Sequence, residues 1–174
     1  MKLELRLQRR LAENVRDILR QGADLLGTID DALYAKSEKT AFAEGGAVGG
    51  HFRHCLEFVN TLLAGIDGGR IDYNKRERSY QIETDREYAR REYRKTIERL
   101  DNFNTREESF LLVKPEDFSD NEENFWCASS IERELEFLYS HTTHHYALIG
   151  FKLRAAGFIL PLEFGVAPST LRFW

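Results

Sequence analysis

Apolar residues recur three and four positions apart through most of this chain, and that spacing predicts helices rather than strands. Over residues 3 to 29, Leu7, Leu11, Val15, Ile18, Leu19, Leu25 and Leu26 form one stripe, with Arg and Glu on the other faces. Asp30 and Asp31 break the pattern, and residues 30 to 46 read as a loop closed by Gly45-Gly46. A second helix is expected over residues 47 to 64, carrying His51, His54, Leu56, Phe58, Val59 and Leu62 until Gly65 and Gly68-Gly69 stop it. Thr84, with Glu87 three residues on, has the form of a capping box. The helix it opens, residues 85 to 102, is heavily charged, with a thin stripe of Tyr88, Tyr93, Ile97 and Leu100. The last long helix starts at a cap on Ser129 or Ser130 and runs to about Ala156, where Gly157 stops it.

Between the third and fourth helices two short extended candidates, "SFLLV" at 109 to 113 and "NFWCA" at 124 to 128, suit a small hairpin across the acidic stretch Asp117 to Glu123. Four long helical patterns and little strand predict an all-α fold, a four-helix bundle. The links at 30 to 46, 66 to 83 and 103 to 128 exceed the roughly 2–8 residues that join antiparallel neighbours, so at least one long crossover connection is expected. The 174 residues suit a single domain. Its tail, residues 158 to 174, contains Pro161 and Pro168 and ends in Phe173-Trp174, an aromatic segment expected to fold back on the bundle or to reach a partner subunit.

Charge narrows the function. The net charge of −4 gives no overall attraction to nucleic acid or to an anionic membrane. Basic clusters at Lys75, Arg76 and Arg78 and from Arg86 to Arg94 are interleaved with acids, as on a solvated helix face. The N-terminal "MKLELRLQRR" has no apolar core of a signal peptide, and no apolar run approaches the roughly 18–20 residues of a membrane span. Cys55 and Cys127, too few for a disulfide scaffold and without CxxC spacing, read as buried core thiols. A cytoplasmic protein is the expectation.

The five histidines fall in two places, "GGHFRHCLEF" on the second helix and "SHTTHHYALI" on the fourth. Residues three or four apart share a helix face, so His51 and His54 point together, as do His141 and His145; His141 and His144 are also compatible. Two imidazoles one turn apart can reach one ion, and metal sites in bundles are built from facing helices. Three imidazoles leave an open site for Zn²⁺, Ni²⁺ or Fe²⁺. Thr142 stands where an HExxH protease places its glutamate, which argues against that enzyme class.

The stretches "AVGGHFRHCLEF" and "SSIERELEFLYSHTTHHYALI" resemble the DinB/YfiT-like superfamily, whose pattern is a lone histidine on the second helix and an HxxxH on the fourth. The resemblance implies a bundle with up-down-down-up topology, often a homodimer, that binds a divalent metal through three histidines. By position His141 and His145 match the HxxxH pair, and His54 matches the second-helix ligand better than His51. It further implies hydrolases, and transferases or isomerases that use low-molecular-weight thiols, beside members without known activity. The surplus His51 has three open roles: fourth ligand, proton shuttle or lid. His144 is expected to be structural.

A metal-dependent hydrolase or thiol S-transferase is therefore the leading expectation. His54, His141 and His145 are its ligands, His51 or Glu134 its proton carrier, and a small molecule its substrate. A non-enzymatic, stress-linked metal-binding module is the alternative, and a bundle merely decorated by histidines a third. Glu57, one turn after His54, is either solvated or an orienting partner for an imidazole. Glu134 lies two turns before His141 on the same stripe. Tyr73, Arg76 and Arg78, with Asp85, are read as a surface loop with ion pairs or as the mouth of a pocket for an anion. "GGAVGG" lacks the Lys-Ser/Thr of a phosphate loop, and no GxSxG marks a serine nucleophile.

Overall fold

A computed structural model of the chain describes residues 2–35, 38–40, 43–114 and 125–174. The fold is mostly helical, with a small three-stranded sheet. Its long elements are α1 (Leu3–Leu26), α3 (Val48–Gly65), α5 (Arg86–Asp101) and α6 (Ile131–Ala155). Short helices α2 (Asp31–Ala35), α4 (Tyr80–Thr84) and α7 (Pro168–Leu171) lie between or after them. No helix among the described residues is long and apolar enough to cross a membrane.

The core face of α1 is turned slightly from the stripe of its large apolar residues. Gln8, Ala12, Val15, Leu19, Gly22 and Leu26 are buried, whereas Leu7 is exposed. Gln8 is tolerated inside because its amide is fully used: its Nε2 donates to the Arg106 carbonyl and to Glu132, and its Oε1 accepts from the Arg106 N–H. The stripe packs α1 on α5 and α6, while α3 packs on α6, α5 and α4. On α5 the core positions are Ala89, Tyr93, Thr96, Ile97 and Leu100, with Tyr88 at the margin.

Two connections carry more structure than their composition predicts. Residues 30 to 46 contain α2 and an antiparallel pair, β1 (Glu38–Thr40) and β2 (Ala43–Gly45). The link after α3 contains two 3₁₀ turns, strand β3 (Arg70–Asp72) and α4. The capping box proposed on Thr84 gives way to a cap one residue later. Thr84 closes α4, and the Asp85 carboxylate accepts from the Tyr88 N–H at 2.8 Å to open α5.

The two extended candidates do pair. β4 (Phe110–Lys114) runs antiparallel to β5 (Cys127–Ser130), with Phe110 opposite Ser130 and Val113 opposite Cys127. β3 joins β4 in parallel, giving the order β3-β4-β5, so the sheet is larger than a hairpin. The acidic stretch Asp117 to Glu123 expected to connect the strands lies outside the described residues, as does Asn124. Cys127 is exposed on β5, which corrects its reading as a core thiol: it opens an edge strand whose first two residues, Cys127 and Ala128, are both exposed. Cys55 is buried in the core.

Ser130 is the cap of α6, accepting from the Arg133 N–H at 3.2 Å. Beyond α6, Gly157 adopts φ +82° and the chain turns back. Phe164 stacks on Tyr146 with ring centroids 5.1 Å apart and planes 10° apart. Gly165 (φ +73°) follows so close to α6 that a Cβ there would lie 2.5 Å from the Ala147 nitrogen. The tail thus docks as far as Gly165, while Ile159, Leu162, Phe173 and Trp174 stay exposed.

Candidate metal centre

α3 and α6 meet at the histidines. His54 Nε2 lies 3.0 Å from His141 Nε2, and His51 Nδ1 lies 2.9 Å from His145 Nδ1. Moving up α3 from 51 to 54 matches moving down α6 from 145 to 141, so the helices run antiparallel here. His141 and His145 stack with centroids 4.8 Å apart and planes 23° apart, and the His54 ring lies 4.6 Å from that of His145. One ring nitrogen each from His54, His141 and His145 falls within a 4.8 Å group. All four rings are half-buried.

Aromatic rings close one side. Phe58 lies 4.7 Å from the His54 ring and 4.5 Å from that of His141. Phe137 meets His141 edge-on at 5.2 Å. Both are one helical turn from the histidine they touch, at i+4 from His54 and i−4 from His141. That spacing is legible in the sequence once the two histidines are chosen.

Burial, and then the neighbouring His141 with Arg76 and Arg53, lowers the His54 pKa to about 4. Burial, followed by the His54, His141 and His51 rings, lowers that of His145 to about 3. His51 is lowered by burial, then by Lys152 and His144. These imidazoles are neutral at pH 7 and keep a lone pair to offer, the form a metal ligand needs.

Two nitrogens bound to one ion at about 2.0–2.1 Å, with an angle of about 90–110° between the bonds, lie about 2.9–3.4 Å apart. The His54–His141 spacing falls in that range. The same spacing suits an N–H···N hydrogen bond between two neutral rings. The donor set, three imidazoles without a carboxylate or thiolate, fits Zn²⁺, Ni²⁺ or Fe²⁺.

The carboxylates are engaged elsewhere. Glu134 is fully buried and accepts from the Tyr73 hydroxyl at 2.9 Å, the Ser129 hydroxyl at 2.6 Å and Arg133 at 2.8 Å. Glu57 is neither solvated nor bonded to an imidazole: it is buried, and accepts from the Ser79 N–H at 2.9 Å and from Arg53 at 3.2 Å. Its pKa is raised by burial, against the pull of Arg53.

Tyr73 is not on a surface loop but inside, stacked on Phe58 at 4.9 Å, and the Arg76 guanidinium lies over the Phe58 ring, 4.1 Å from its centroid. Arg78 is exposed, and Asp85 is the α5 cap. His144 is exposed at the rim of a separate cleft of about 850 Å³ with Arg10, Glu136 and Tyr139. A second cavity, of about 360 Å³, borders the histidines through Phe58 and Phe137 and is also lined by Tyr73, Val113, Cys127 and Arg133.

No protein-family model matches the chain, and no solved structure matches it. Among curated proteins it is similar to FK506-binding protein 5 of Rhizopus delemar, 34% identical over 105 residues. That match covers 59% of this chain and 27% of the relative, so the chain spans about a quarter of the protein it resembles.

Proposed function

We propose that His54, His141 and His145 hold a divalent metal ion in a four-helix bundle of the DinB/YfiT-like kind, up-down-down-up. On this reading the protein acts on a small molecule as a hydrolase or a thiol S-transferase. The observation that carries it is the convergence of three imidazoles from two helices within 4.8 Å. A bound Zn²⁺, Ni²⁺ or Fe²⁺ supplies Lewis acidity, which lowers the pKa of a water or thiol ligand so that a nucleophile exists near neutral pH.

The chain's own groups fit that task. Phe58 and Phe137 exclude water from one side of the histidines. The 360 Å³ cavity beyond them has room for a small substrate, and its lining carries Lys114 and Arg133 against one carboxylate, Glu134, which favours an anionic occupant such as a thiolate or carboxylate. His51 meets the cluster through His145, its Nδ1 2.9 Å from that of His145. Glu134, with three donors on its carboxylate, holds Tyr73 and Ser129 at the cavity wall. A cavity one ring away from the ligands, behind Phe58 and Phe137, is what favours an enzyme over a non-enzymatic metal-binding module.

Elemental analysis of protein purified without a histidine tag tests the reading. One metal per chain is expected, lost in a His141→Ala/His145→Ala variant. Absence of stoichiometric metal, with that variant unchanged in both metal uptake and stability, sinks it.

A further inference from the structure

We infer that His51 is a positioning residue for the metal centre: it accepts a hydrogen bond from His145 Nδ1–H and so fixes His145 as a ligand through Nε2. The inference rests on the metal reading above. Its observation is the 2.9 Å separation of the two Nδ1 atoms.

Two neutral imidazoles bridged nitrogen to nitrogen need one hydrogen on the bridge and one lone pair facing it. If His51 gave the hydrogen, the single hydrogen of His145 would sit on Nε2, and His145 would have no lone pair left for an ion. If His145 gives it, Nε2 is bare and can ligate, while His51 carries its own hydrogen on Nε2. Only the second arrangement makes His145 a ligand. A metal-bound histidine ordinarily donates its other N–H to a carboxylate or a carbonyl, which sets the tautomer and the ring orientation. Here the two buried carboxylates of these helices, Glu57 and Glu134, are bonded to other donors, and an imidazole takes the place.

The doubling of histidines on both helices then has one account. His54 and His141 form one rung between α3 and α6, and His51 and His145 form the next, with His51 the member that supports rather than binds. An uncharged acceptor leaves the ion's charge undiminished, unlike a carboxylate in the same place.

Zinc affinity at one fixed pH, by competition with a chelator, tests this in His51→Ala, His51→Leu and His51→Asn. Asn places its side-chain oxygen where Nδ1 stands, whereas Leu fills the space without an acceptor. His51→Ala and His51→Leu are expected to weaken zinc binding about 10–100-fold, with His51→Asn restoring most of it. In the zinc-loaded wild type, long-range ¹⁵N–¹H spectra are expected to show His145 protonated at Nδ1, and His51 protonated at Nε2 with neither of its nitrogens bound to zinc. Equal affinities for Leu and Asn, or a His51 nitrogen bound to zinc, overturn the inference and leave the tri-histidine site standing. A wild type that takes up no zinc overturns both.

Discussion

His54 Nε2 and His141 Nε2 face each other across 3.0 Å, joining residues 87 positions apart in the chain. An ion and a hydrogen bond both suit this spacing, and they respond differently to truncation. Replacing either residue by Ala removes one of three ligands. Zinc affinity is then expected to fall by more than the roughly 10–100-fold that loss of a ligand's hydrogen-bonding partner costs. The readout is metal per chain and chelator competition. If the rings are only hydrogen-bonded, zinc affinity is equally weak in wild type and variants.

Zinc itself is a second readout. A ligand that binds the native state alone stabilises it by about 2.7 kcal/mol at a hundred times its dissociation constant. For a chain of this size that corresponds to a rise in Tm of roughly 5–11 °C. Thermal unfolding with and without zinc is expected to show this rise in wild type and its loss in His145→Ala. Equal shifts in both proteins count against the site.

Glu134 separates a structural carboxylate from a catalytic one. Tyr73→Phe removes one of its three donors in a buried setting, at an expected cost of about 1–3 kcal/mol. Glu134→Gln sets an amide N–H against at least one of those donors and is expected to cost a similar amount. Neither change touches a histidine, so metal content is expected to stay at the wild-type level in both. Loss of metal in Glu134→Gln would tie the carboxylate to the centre directly. Denaturant unfolding beside elemental analysis reads both quantities.

What the sequence carried was periodicity and pairing on one face. The four long helices follow from apolar spacing, and one-turn spacing pairs the histidines on two helices, while His54 rather than His51 in the ligand group came from the family resemblance alone. The rest was hidden for identifiable reasons. Gln8 takes a core position that looks polar because its partners, Arg106 and Glu132, lie about a hundred or more residues away. Tyr73 sits in a polar stretch, yet it is buried by Phe58 and by a hydrogen bond to Glu134, contacts set by tertiary packing. β3 is three residues long and pairs in parallel with a strand some forty positions later, so neither length nor alternation marks it. The contact of His51 with His145 was invisible because spacing gives the face of a helix, not which ring nitrogen meets which.

Gly165 tests the docking of the tail. Its φ of +73° disfavours a side chain, and a Cβ would lie 2.5 Å from the Ala147 nitrogen, backbone that cannot yield. Gly165→Ala is expected to cost about 1–3 kcal/mol, or to release the tail with loss of the Phe164–Tyr146 stack. Limited proteolysis after residue 157 distinguishes the two. A variant with unchanged Tm and unchanged cleavage contradicts the docked tail.

The histidines also set how stability depends on pH in the metal-free protein. His54 and His145 titrate near pH 4 and pH 3 when folded, below the 6.5 of a free histidine. Between pH 6.5 and those values the unfolded chain takes up protons that the folded chain refuses, so acid favours unfolding. The contribution of this pair is complete above pH 6.5 and is lost progressively as pH falls toward 4 and then 3. Denaturant midpoints of the metal-free wild type are expected to drop through this window. In His54→Ala/His145→Ala the drop is expected to be smaller, because two of the groups responsible are gone. Equal slopes in the two proteins would show that other groups, such as the buried carboxylates, account for the acid loss. Zinc steepens the wild-type dependence in the same direction, since protons compete with the ion for the same lone pairs. Its removal by a chelator is expected to return the shallower metal-free curve.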